Sequence, residues 1–504
     1  MSIVFLFIFI FLSRVLFLSI SPAFYDSLEY IRLFENTNLF DSLKQVHLPI
    51  HPLWIFVGWL FNKIPISTTL YKIEFLNAVL GTLSCCLIYK IFKQLVGEKK
   101  ALILTLFSCF LPYFWLSQIN ILYEPLLGVL LLGSFWFLIK GFEGDRGNKG
   151  EKGNPTSSGS AGLRGARRGN WGKVVLAGLL FAGAFLVSST AVFYLIFFAG
   201  VFLGPPSSSQ TRLRRVKILG GLGILVGLLG YLGILRLRGI PAGEILSVLS
   251  AGNNLLTKIS TEGIMLFVRG IRNSLVVYFN YLTVPLGIML GVLGMLGVLR
   301  DKRYRIPVIS WLVCFFFLNT IWHAGMFGRL SLLLTVVPIF LLAKVSNKLL
   351  LLLFIYIAVS SGFKVMPYAF QKVPNILEKE YIEKQKEDFL LIISNYEEPY
   401  LRGNFEVLVL NSPTTDLEKI KGKLEESIKE SRIVLMTSQA LTTPYFQYDG
   451  MNYQLLSKKR IHATTQGQML VKNYKLDPLI GWPGMEIQIF KLNSQKWYTF
   501  LQKY

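Results

Sequence analysis

The sequence predicts an α-helical membrane protein that crosses the bilayer many times and ends in a small water-soluble α/β domain. Of its 504 residues, 53% are hydrophobic and only 16% are charged, a balance well outside the range of soluble proteins. Apolar runs of bilayer length recur along most of the chain, and basic residues cluster in the short stretches between them. We therefore expect a multi-pass protein of the plasma (cytoplasmic) membrane.

The hydrophobic segments predict the membrane helices, because a segment of roughly 16 to 22 apolar residues can span a bilayer; about eleven such segments are present. They are 2–20, 71–93, 101–117, 124–141, 172–187, 189–205, 217–235, 280–299, 306–321, 328–344 and 348–365. No basic region precedes 2–20 and no small-residue cleavage site follows it, so we interpret it as a retained first helix. Residues 50–63 are too short and too rich in Trp and Pro to span, which favours an interfacial or re-entrant helix.

The basic loops predict the orientation in the membrane. They are 97–100, 142–171, 211–217, 300–305 and 344–348. With a cytoplasmic N-terminus all of them fall on the cytoplasmic side, as the positive-inside rule requires. The extracytoplasmic side then holds 21–70, 118–123, 236–279, 322–327 and everything after about residue 366. Four arginines, Arg236, Arg238, Arg269 and Arg272, also fall there, so they either break the rule locally or bind an anion.

The net charge of +23 does not indicate a nucleic-acid partner, because the positive-inside rule already explains where the basic residues lie. Cys85, Cys86, Cys109 and Cys314 lie in apolar segments without paired metal-type spacing. This pattern is typical of small buried side chains rather than ligands or disulfides. The loop at 142–171 is rich in glycine, and we interpret it as a flexible cytoplasmic linker.

We predict two domains: a transmembrane domain over 1–371 and an extracytoplasmic domain over 372–504. In the second, short apolar runs at 389–393, 405–410, 433–436 and 485–490 surround a charged, helix-like stretch at 416–432. Short strands around an amphipathic helix indicate a small α/β domain. It contains no nucleotide-binding fingerprint and no nucleophile elbow.

Ionisable residues collect at the predicted extracytoplasmic face, where each is a functional candidate because charge is expensive near a bilayer. They are Asp26, Glu29, His47, His51, Glu124, His323 and Arg329. Asp26 and Glu29 are three residues apart, so a helix would present both carboxylates on one face. Such a pair can bind a divalent cation or supply a general base with a pKa-tuning neighbour. It can equally be a solvated acidic pair at a helix start.

The remaining candidates have their own structural alternatives. His47 and His51 are four residues apart, but the prolines at 49 and 52 disfavour the regular helix that a metal pair would need. Glu124 precedes a proline at a helix start, where a carboxylate interacts favourably with the helix dipole without any functional role. Its position on the same membrane face as Asp26 favours a functional role instead. Arg329 opposes the dipole at the start of a helix, so phosphate binding is favoured over snorkelling to the interface.

These motifs resemble the GT-C superfamily of integral-membrane glycosyltransferases, which use polyprenyl-phosphate-linked sugars. The resemblance covers roughly the first 140 residues and, more faintly, 306–345. It is carried by Asp26-Ser27-Leu28-Glu29-Tyr30, His51-Pro52-Leu53, Leu111-Pro112 through Tyr123-Glu124-Pro125, and Gly328-Arg329 leading to Pro338. The branch that it resembles most contains bacterial protein O-mannosyltransferase-like enzymes.

The resemblance implies an inverting, single-displacement transfer to a hydroxyl of a protein, lipid or glycan at the extracytoplasmic face. Asp26 would be the catalytic base, and Glu29 and Glu124 would orient the acceptor or, with Asp26, hold a divalent cation. Arg329 would contact the lipid phosphate, and His51 and His323 would support it. The implied partners are a polyprenyl-phosphate-linked sugar and membrane lipid, with no soluble cofactor beyond the open question of the cation.

The chain also departs from the family pattern. Many relatives carry an Arg-Pro pair where this chain has Ser188-Ser189-Thr190, and many follow the late arginine with Tyr where this chain has Leu330. The first departure removes a second phosphate contact, which Arg236 or Arg238 would have to replace.

Two other classes of protein fit parts of the sequence. A transporter or flippase of lipid-linked glycans would also need many helices and arginines. Transporters usually place polar residues near the midplane of broken helices and often contain repeats, whereas here the ionisable residues share one face and no repeat is visible. A structural membrane protein that works through its C-terminal domain would tolerate Asp26→Asn without effect.

Overall fold

The computed structural model describes residues 3–22, 25–45, 51–143, 160–188, 190–202, 209–240, 263–282, 284–300, 302–321, 342, 345–385, 387–394, 397–401, 406–410, 417–437, 440, 465–469 and 488–492. The chain divides into two compact units. The helical unit contains Met1–Ser19, Tyr30–Ala369 and Pro478–Gly481. The sheet unit contains Ile20–Glu29, Phe370–Asp477 and Trp482–Tyr504.

Helices dominate the first 370 residues. They are α1 (Ile3–Val15), α2 (Tyr25–Glu35), α3 (Leu39–Gln45), α4 (Pro52–Asn62), α5 (Thr69–Val96), α6 (Glu98–Cys109), α7 (Pro112–Ser117), α8 (Glu124–Glu143), α9 (Ser160–Val187), α10 (Ala191–Phe202), α11 (Ser209–Leu237), α12 (Ile264–Leu282), α13 (Val284–Arg300), α14 (Lys302–Ile321) and α15 (Asn347–Phe370). A helix satisfies its own backbone polar groups, which is why apolar segments adopt it in a bilayer.

Three stretches of the described residues are long and apolar enough to cross a membrane. They are Thr69–Gln94, Glu124–Gly141 and Asn347–Ile382. A fourth candidate is the pair Ile264–Phe279 and Val284–Leu293, which is bent by 111° at the break between the two helices. Shorter apolar helices accompany them, among them Pro52–Asn62 in the segment predicted to be interfacial or re-entrant. The larger number of spans stays a prediction, and most of its 328–344 segment lies outside the described residues.

The outer surface of these helices is apolar, as contact with lipid requires. Phe5 is 67% exposed, Leu352 65% and Phe363 72%. In a soluble protein such side chains would be buried, whereas hydrocarbon solvates them without cost. The exposure pattern therefore agrees with a membrane location.

Glycines let α9 and α11 approach closely. A Cβ on Gly223 would lie 2.7 Å from the Phe181 ring, and one on Gly227 would lie 2.7 Å from the Phe185 ring. The two glycines are four residues apart, the spacing of small residues at which membrane helices pack backbone to backbone. Larger residues at these positions would force the helices apart.

In the described part of the sheet unit there are five strands. They are β1 (Phe389–Ser394), β2 (Glu406–Leu410), β3 (Ile433–Thr437), β4 (Thr465–Met469) and β5 (Gln488–Leu492), with α16 (Pro374–Ile382), α17 (Glu398–Leu401) and α18 (Leu417–Lys429). The strand order is β2-β1-β3-β5-β4. β1 is parallel to β2 and β3, while β5 is antiparallel to β3 and β4. Every residue of β1 is buried, which is typical of a central parallel strand.

The start of the predicted first outer loop makes its contacts in the sheet unit. Ile20–Glu29 belongs to that unit, while the division into domains 1–371 and 372–504 stays a prediction. The backbone N–H of Val373 donates to Ser21 Oγ at 3.2 Å, and Tyr400 Oη donates to the Pro22 carbonyl at 3.5 Å. These bonds join residues more than 350 positions apart, a pairing that no local pattern predicts.

Candidate active site

The first turns of α2 carry the two predicted carboxylates. Asp26 lies in the first turn, where a negative charge interacts favourably with the helix dipole. Glu29 follows one turn later on the same face. Asp26 is half-buried, while Glu29 is only 8% exposed. The helix therefore provides the shared face that the three-residue spacing predicts.

His51 is the N-cap residue of α4, and Pro52 begins the helix. Its Nδ1 lies 2.6 Å from the carbonyl oxygen of Val187. A carbonyl can only accept a hydrogen bond, so Nδ1 carries the hydrogen and Nε2 is the acceptor when the imidazole is neutral. The ring is 5% exposed and stacks on Tyr123 with centroids 4.0 Å apart. These two contacts hold one tautomer and one orientation.

Aromatic rings enclose His51 on the side of α2. Tyr30 meets the imidazole edge to face at 6.2 Å and meets the Trp54 ring at 6.1 Å. Phe34 packs against Trp54 at 5.6 Å and covers Gly58, where a Cβ would approach its ring to 2.3 Å. Glycine at this position thus allows α4 to lie against Phe34. We did not predict this aromatic group, although Tyr30 and Phe34 show the i, i+4 spacing of a buried helix face.

Tyr123 and Glu124 follow a buried turn that Asn77 holds from α5. The Asn77 side-chain amide donates to the carbonyl of Asn120 at 2.6 Å and to that of Leu122 at 2.9 Å. Glu124 then begins α8 and is 4% exposed. A carboxylate at this position interacts favourably with the helix dipole. Asn77 thereby fixes the backbone immediately before the residue that stacks on His51.

Arg14 holds the other end of the same turn. Its Nε donates to Gln118 Oε1 at 2.8 Å, and its Nη2 donates to the Cys109 carbonyl. The guanidinium also lies over the Phe110 and Trp115 rings, at 5.2 and 5.5 Å. Arg14 is fully buried. Sequence reasoning missed it, although an arginine inside an apolar run is the signal by which it can be found.

Several predicted site residues lie outside the described residues: His47, His323, Arg329 and Leu330. Of the described residues, no three His, Cys, Asp or Glu side chains come together as a metal-binding group. Cation binding by Asp26, Glu29 and Glu124 therefore stays a prediction, as does anion binding by Arg236 or Arg238. The four cysteines are free thiols, three of them buried.

No family model matches the sequence, and no curated protein matches it. Solved structures do match. The oligosaccharyltransferase of Archaeoglobus fulgidus, in its complex with Zn and sulfate, is 14% identical with a TM-score of 0.54 over 88% of this chain and 68% of that one. ArnT from Cupriavidus metallidurans, bound to undecaprenyl phosphate, is 10% identical with a TM-score of 0.51 over 97% of this chain and 96% of that one.

Both structural neighbours are glycosyltransferases of the GT-C fold. The chain therefore has the GT-C fold, and the resemblance predicted from its short motifs is confirmed at the level of the fold. At this identity the likeness concerns the fold, and activity has to be argued from the site.

Proposed function

We propose that the protein is a glycosyltransferase that moves a sugar from a polyprenyl-phosphate donor to a hydroxyl acceptor at the extracytoplasmic face of the membrane. The observation that carries the proposal is the GT-C fold over nearly the whole chain, since the neighbour matched over 97% of it is bound to undecaprenyl phosphate. The carboxylates at the start of α2 supply the base that such a transfer requires.

In the proposed reaction the acceptor oxygen attacks C1 of the sugar as its proton passes to Asp26. The bond between C1 and the phosphate oxygen breaks, and its electron pair leaves with the polyprenyl phosphate. One displacement inverts the configuration at C1. Arg329 neutralises the negative charge that develops on the leaving phosphate. Glu29 and Glu124 orient the acceptor.

His51 is proposed as a supporting residue rather than as a proton carrier. Its Nδ1 is occupied by the Val187 carbonyl and its ring by Tyr123. These contacts hold the imidazole in one tautomer and one rotamer, so that it supports the residues around it without a change of conformation.

The test uses the full-length protein in lipid nanodiscs with undecaprenyl-phosphate-linked radioactive sugars and a panel of hydroxyl acceptors. Product formation is followed by chromatography of labelled acceptor and by release of undecaprenyl phosphate. We expect Asp26→Asn to reduce the transfer rate by about 10²- to 10⁴-fold, the usual contribution of a general base. Asp41→Asn is the matched control, because Asp41 also lies in the first turn of a helix and is exposed.

A second pair of variants separates the two carboxylates of α2. Glu29→Gln should lower the transfer rate less than Asp26→Asn does, because a glutamine still orients a hydroxyl. Glu35→Gln, an exposed position in the same helix, should leave the rate unchanged. Transfer at the wild-type rate in Asp26→Asn would overturn the assignment of the base. Movement of the donor across the bilayer without release of undecaprenyl phosphate would favour a transporter instead.

A further inference from the structure

The helix α12 has one face buried in the protein and one apolar face that is exposed. Its buried residues recur every three or four positions, at Leu266, Gly270, Asn273 and Val277. The residues of the opposite face are each at least 44% exposed, and they are Ile264, Met265, Val268, Ile271, Leu275 and Val276. An exposed apolar surface of this kind is typical of a surface that lipid or another protein covers.

Contacts with α14 fix the rotation of α12 about its own axis. Asn273 Nδ2 donates to the Asn319 carbonyl at 3.2 Å. A Cβ on Gly270 would collide with the Thr320 hydroxyl, so the two helices approach each other there as closely as glycine permits. These contacts hold one face of α12 against α14. The apolar face on the other side of the helix is therefore kept exposed.

α12 meets α13 at a sharp bend. The pair Ile264–Phe279 and Val284–Leu293 is bent by 111°. Tyr278 Oη donates to the Gly287 carbonyl at 3.0 Å, and a Cβ on Gly287 would lie 2.8 Å from the Phe279 ring. These contacts hold the inside of the bend. With such a bend the two helices cannot both run along the membrane normal.

The charges of the two helices indicate which of them lies along the membrane surface. α13 has no charged residue before Arg300 at its end, so it can enter the hydrocarbon region. α12 contains Arg269 and Arg272 near its middle, where a transmembrane orientation would place both charges deep in the bilayer at high cost. An apolar face bordered by arginines is typical of a helix that lies in the interface. The pattern therefore favours α12 as the interfacial helix.

Arg269 and Arg272 lie on the same border of the exposed face. They are three residues apart, so their side chains are neighbours on the helix surface. Arg272 is exposed, with Val268 and Val276 one turn away on either side, while Arg269 is half-buried. α12 packs on α7, α13 and α14, and none of these four helices contains an acidic residue. No carboxylate of these helices therefore balances the charge of Arg272.

We propose that α12 lies along the extracytoplasmic surface of the bilayer and that Arg272, with Arg269 beside it, binds the phosphate of an anionic phospholipid. The apolar face enters the acyl-chain region, and the guanidinium groups extend to the level of the headgroups. A guanidinium can donate two parallel hydrogen bonds to the oxygens of one phosphate. This role gives the two arginines a reason to lie on the side of the membrane that the positive-inside rule disfavours. It does not depend on the proposed glycosyl transfer.

Nitroxide labels test the orientation of α12. Ile264→Cys and Leu275→Cys are made separately in a Cys86→Ser background, because Cys86 is the one native cysteine that is not buried. The depth of each label in nanodiscs is measured from its accessibility to oxygen and to a water-soluble nickel complex. A helix along the membrane normal would separate the two positions by about 16 Å in depth. We expect the two depths to differ by less than half of that distance, and a larger difference would overturn the proposal.

Brominated lipids test the preference for an anionic headgroup. A fluorophore is attached at position 275, one turn from Arg272, and its quenching by brominated phosphatidylglycerol is divided by its quenching by brominated phosphatidylcholine. We expect a ratio of at least about five, and Arg272→Gln should lower it about fivefold, the usual contribution of one basic residue near an anionic bilayer. Arg272→Lys keeps the charge and should lower the ratio less. Lys429→Gln is the control, because it removes an exposed positive charge from α18, and it should leave the ratio unchanged.

Each contrary outcome of the quenching experiment is distinct. Equal quenching by the two lipids, or a ratio that Arg272→Gln leaves unchanged, would overturn the phosphate contact. Protection from both lipids would show that protein, such as a second copy of the chain, covers the face, and this too would overturn the proposal. Displacement of brominated phosphatidylglycerol by one equivalent of undecaprenyl phosphate would overturn it by assigning the site to that lipid. None of these measurements requires transfer, so their failure is distinguishable from failure of the proposed reaction.

Discussion

Replacing Asn77 by alanine tests how the turn before Glu124 is held. The Asn77 side chain is fully buried in α5, and its amide donates both of its hydrogens to backbone carbonyls, those of Asn120 and Leu122. Alanine has no donor. Both carbonyls would then be buried without these hydrogen bonds, in a part of the protein from which water is excluded.

The expected loss of stability in Asn77→Ala follows from those two hydrogen bonds. A buried polar group left without its partner costs about 1 to 3 kcal/mol. Two such groups give an expected loss of about 2 to 6 kcal/mol in the free energy of unfolding. The loss of atoms in a packed interior adds to this, since partial collapse leaves a cavity.

The assay is reversible denaturant unfolding in detergent micelles, followed by tryptophan fluorescence. Asn319→Ala is the matched control, because Asn319 is also buried and its side-chain amide donates to one carbonyl, that of Phe315, at 2.7 Å. Asn77→Ala should cost more than this control, because it removes two such bonds. The reasoning would be refuted if Asn77→Ala were no more destabilising than Asn319→Ala. A hydroxyl or amide at position 77 that keeps one bond should recover part of the loss.

Three further predictions use the same unfolding assay. Gly227→Leu should cost about 1 to 3 kcal/mol through overpacking of α9 against α11, whereas Gly221→Leu, on the same helix with no atom within 4 Å of its Cβ position, should be nearly neutral. Wild-type stability should fall by about 3 kcal/mol between pH 5 and pH 8. The reason is that burial raises the pKa of Glu397 from 4.5 to about 7, and each pKa unit corresponds to about 1.4 kcal/mol. Glu397→Gln should make this fall smaller. His51→Ala should cost about 1 to 3 kcal/mol by leaving a buried carbonyl without its donor; stability equal to that of the wild type would contradict the contact.

Local sequence pattern accounts well for where the helices start and which side chains lie on one helix face. Asp26 and Glu29 share a face of α2 because helical periodicity is set by the backbone alone. His51 precedes α4 because a proline is favourable in the first turn of a helix. The apolar runs within the described residues form helices because an isolated backbone polar group is too costly in hydrocarbon.

The sequence predicted the positions of some strands better than others. Apolar runs predicted β1, β2 and β3, whereas the last predicted strand, 485–490, is displaced by a few residues from β5. β4, with the sequence Thr-Gln-Gly-Gln-Met, has no apolar alternation and was missed. It is an edge strand whose position is determined by its hydrogen bonds to β5, and such bonds do not depend on side-chain polarity.

The sequence by itself determined that this is a helical membrane protein with acidic residues at the start of α2, because composition and periodicity act through local backbone and solvation energies. Only the tertiary structure decided that Arg14 and Asn77 hold the turn before Glu124. It likewise brought Ile20–Glu29 into one unit with the strands. Each of these contacts joins groups that are distant in the chain, and its energy exists only once the intervening helices have packed.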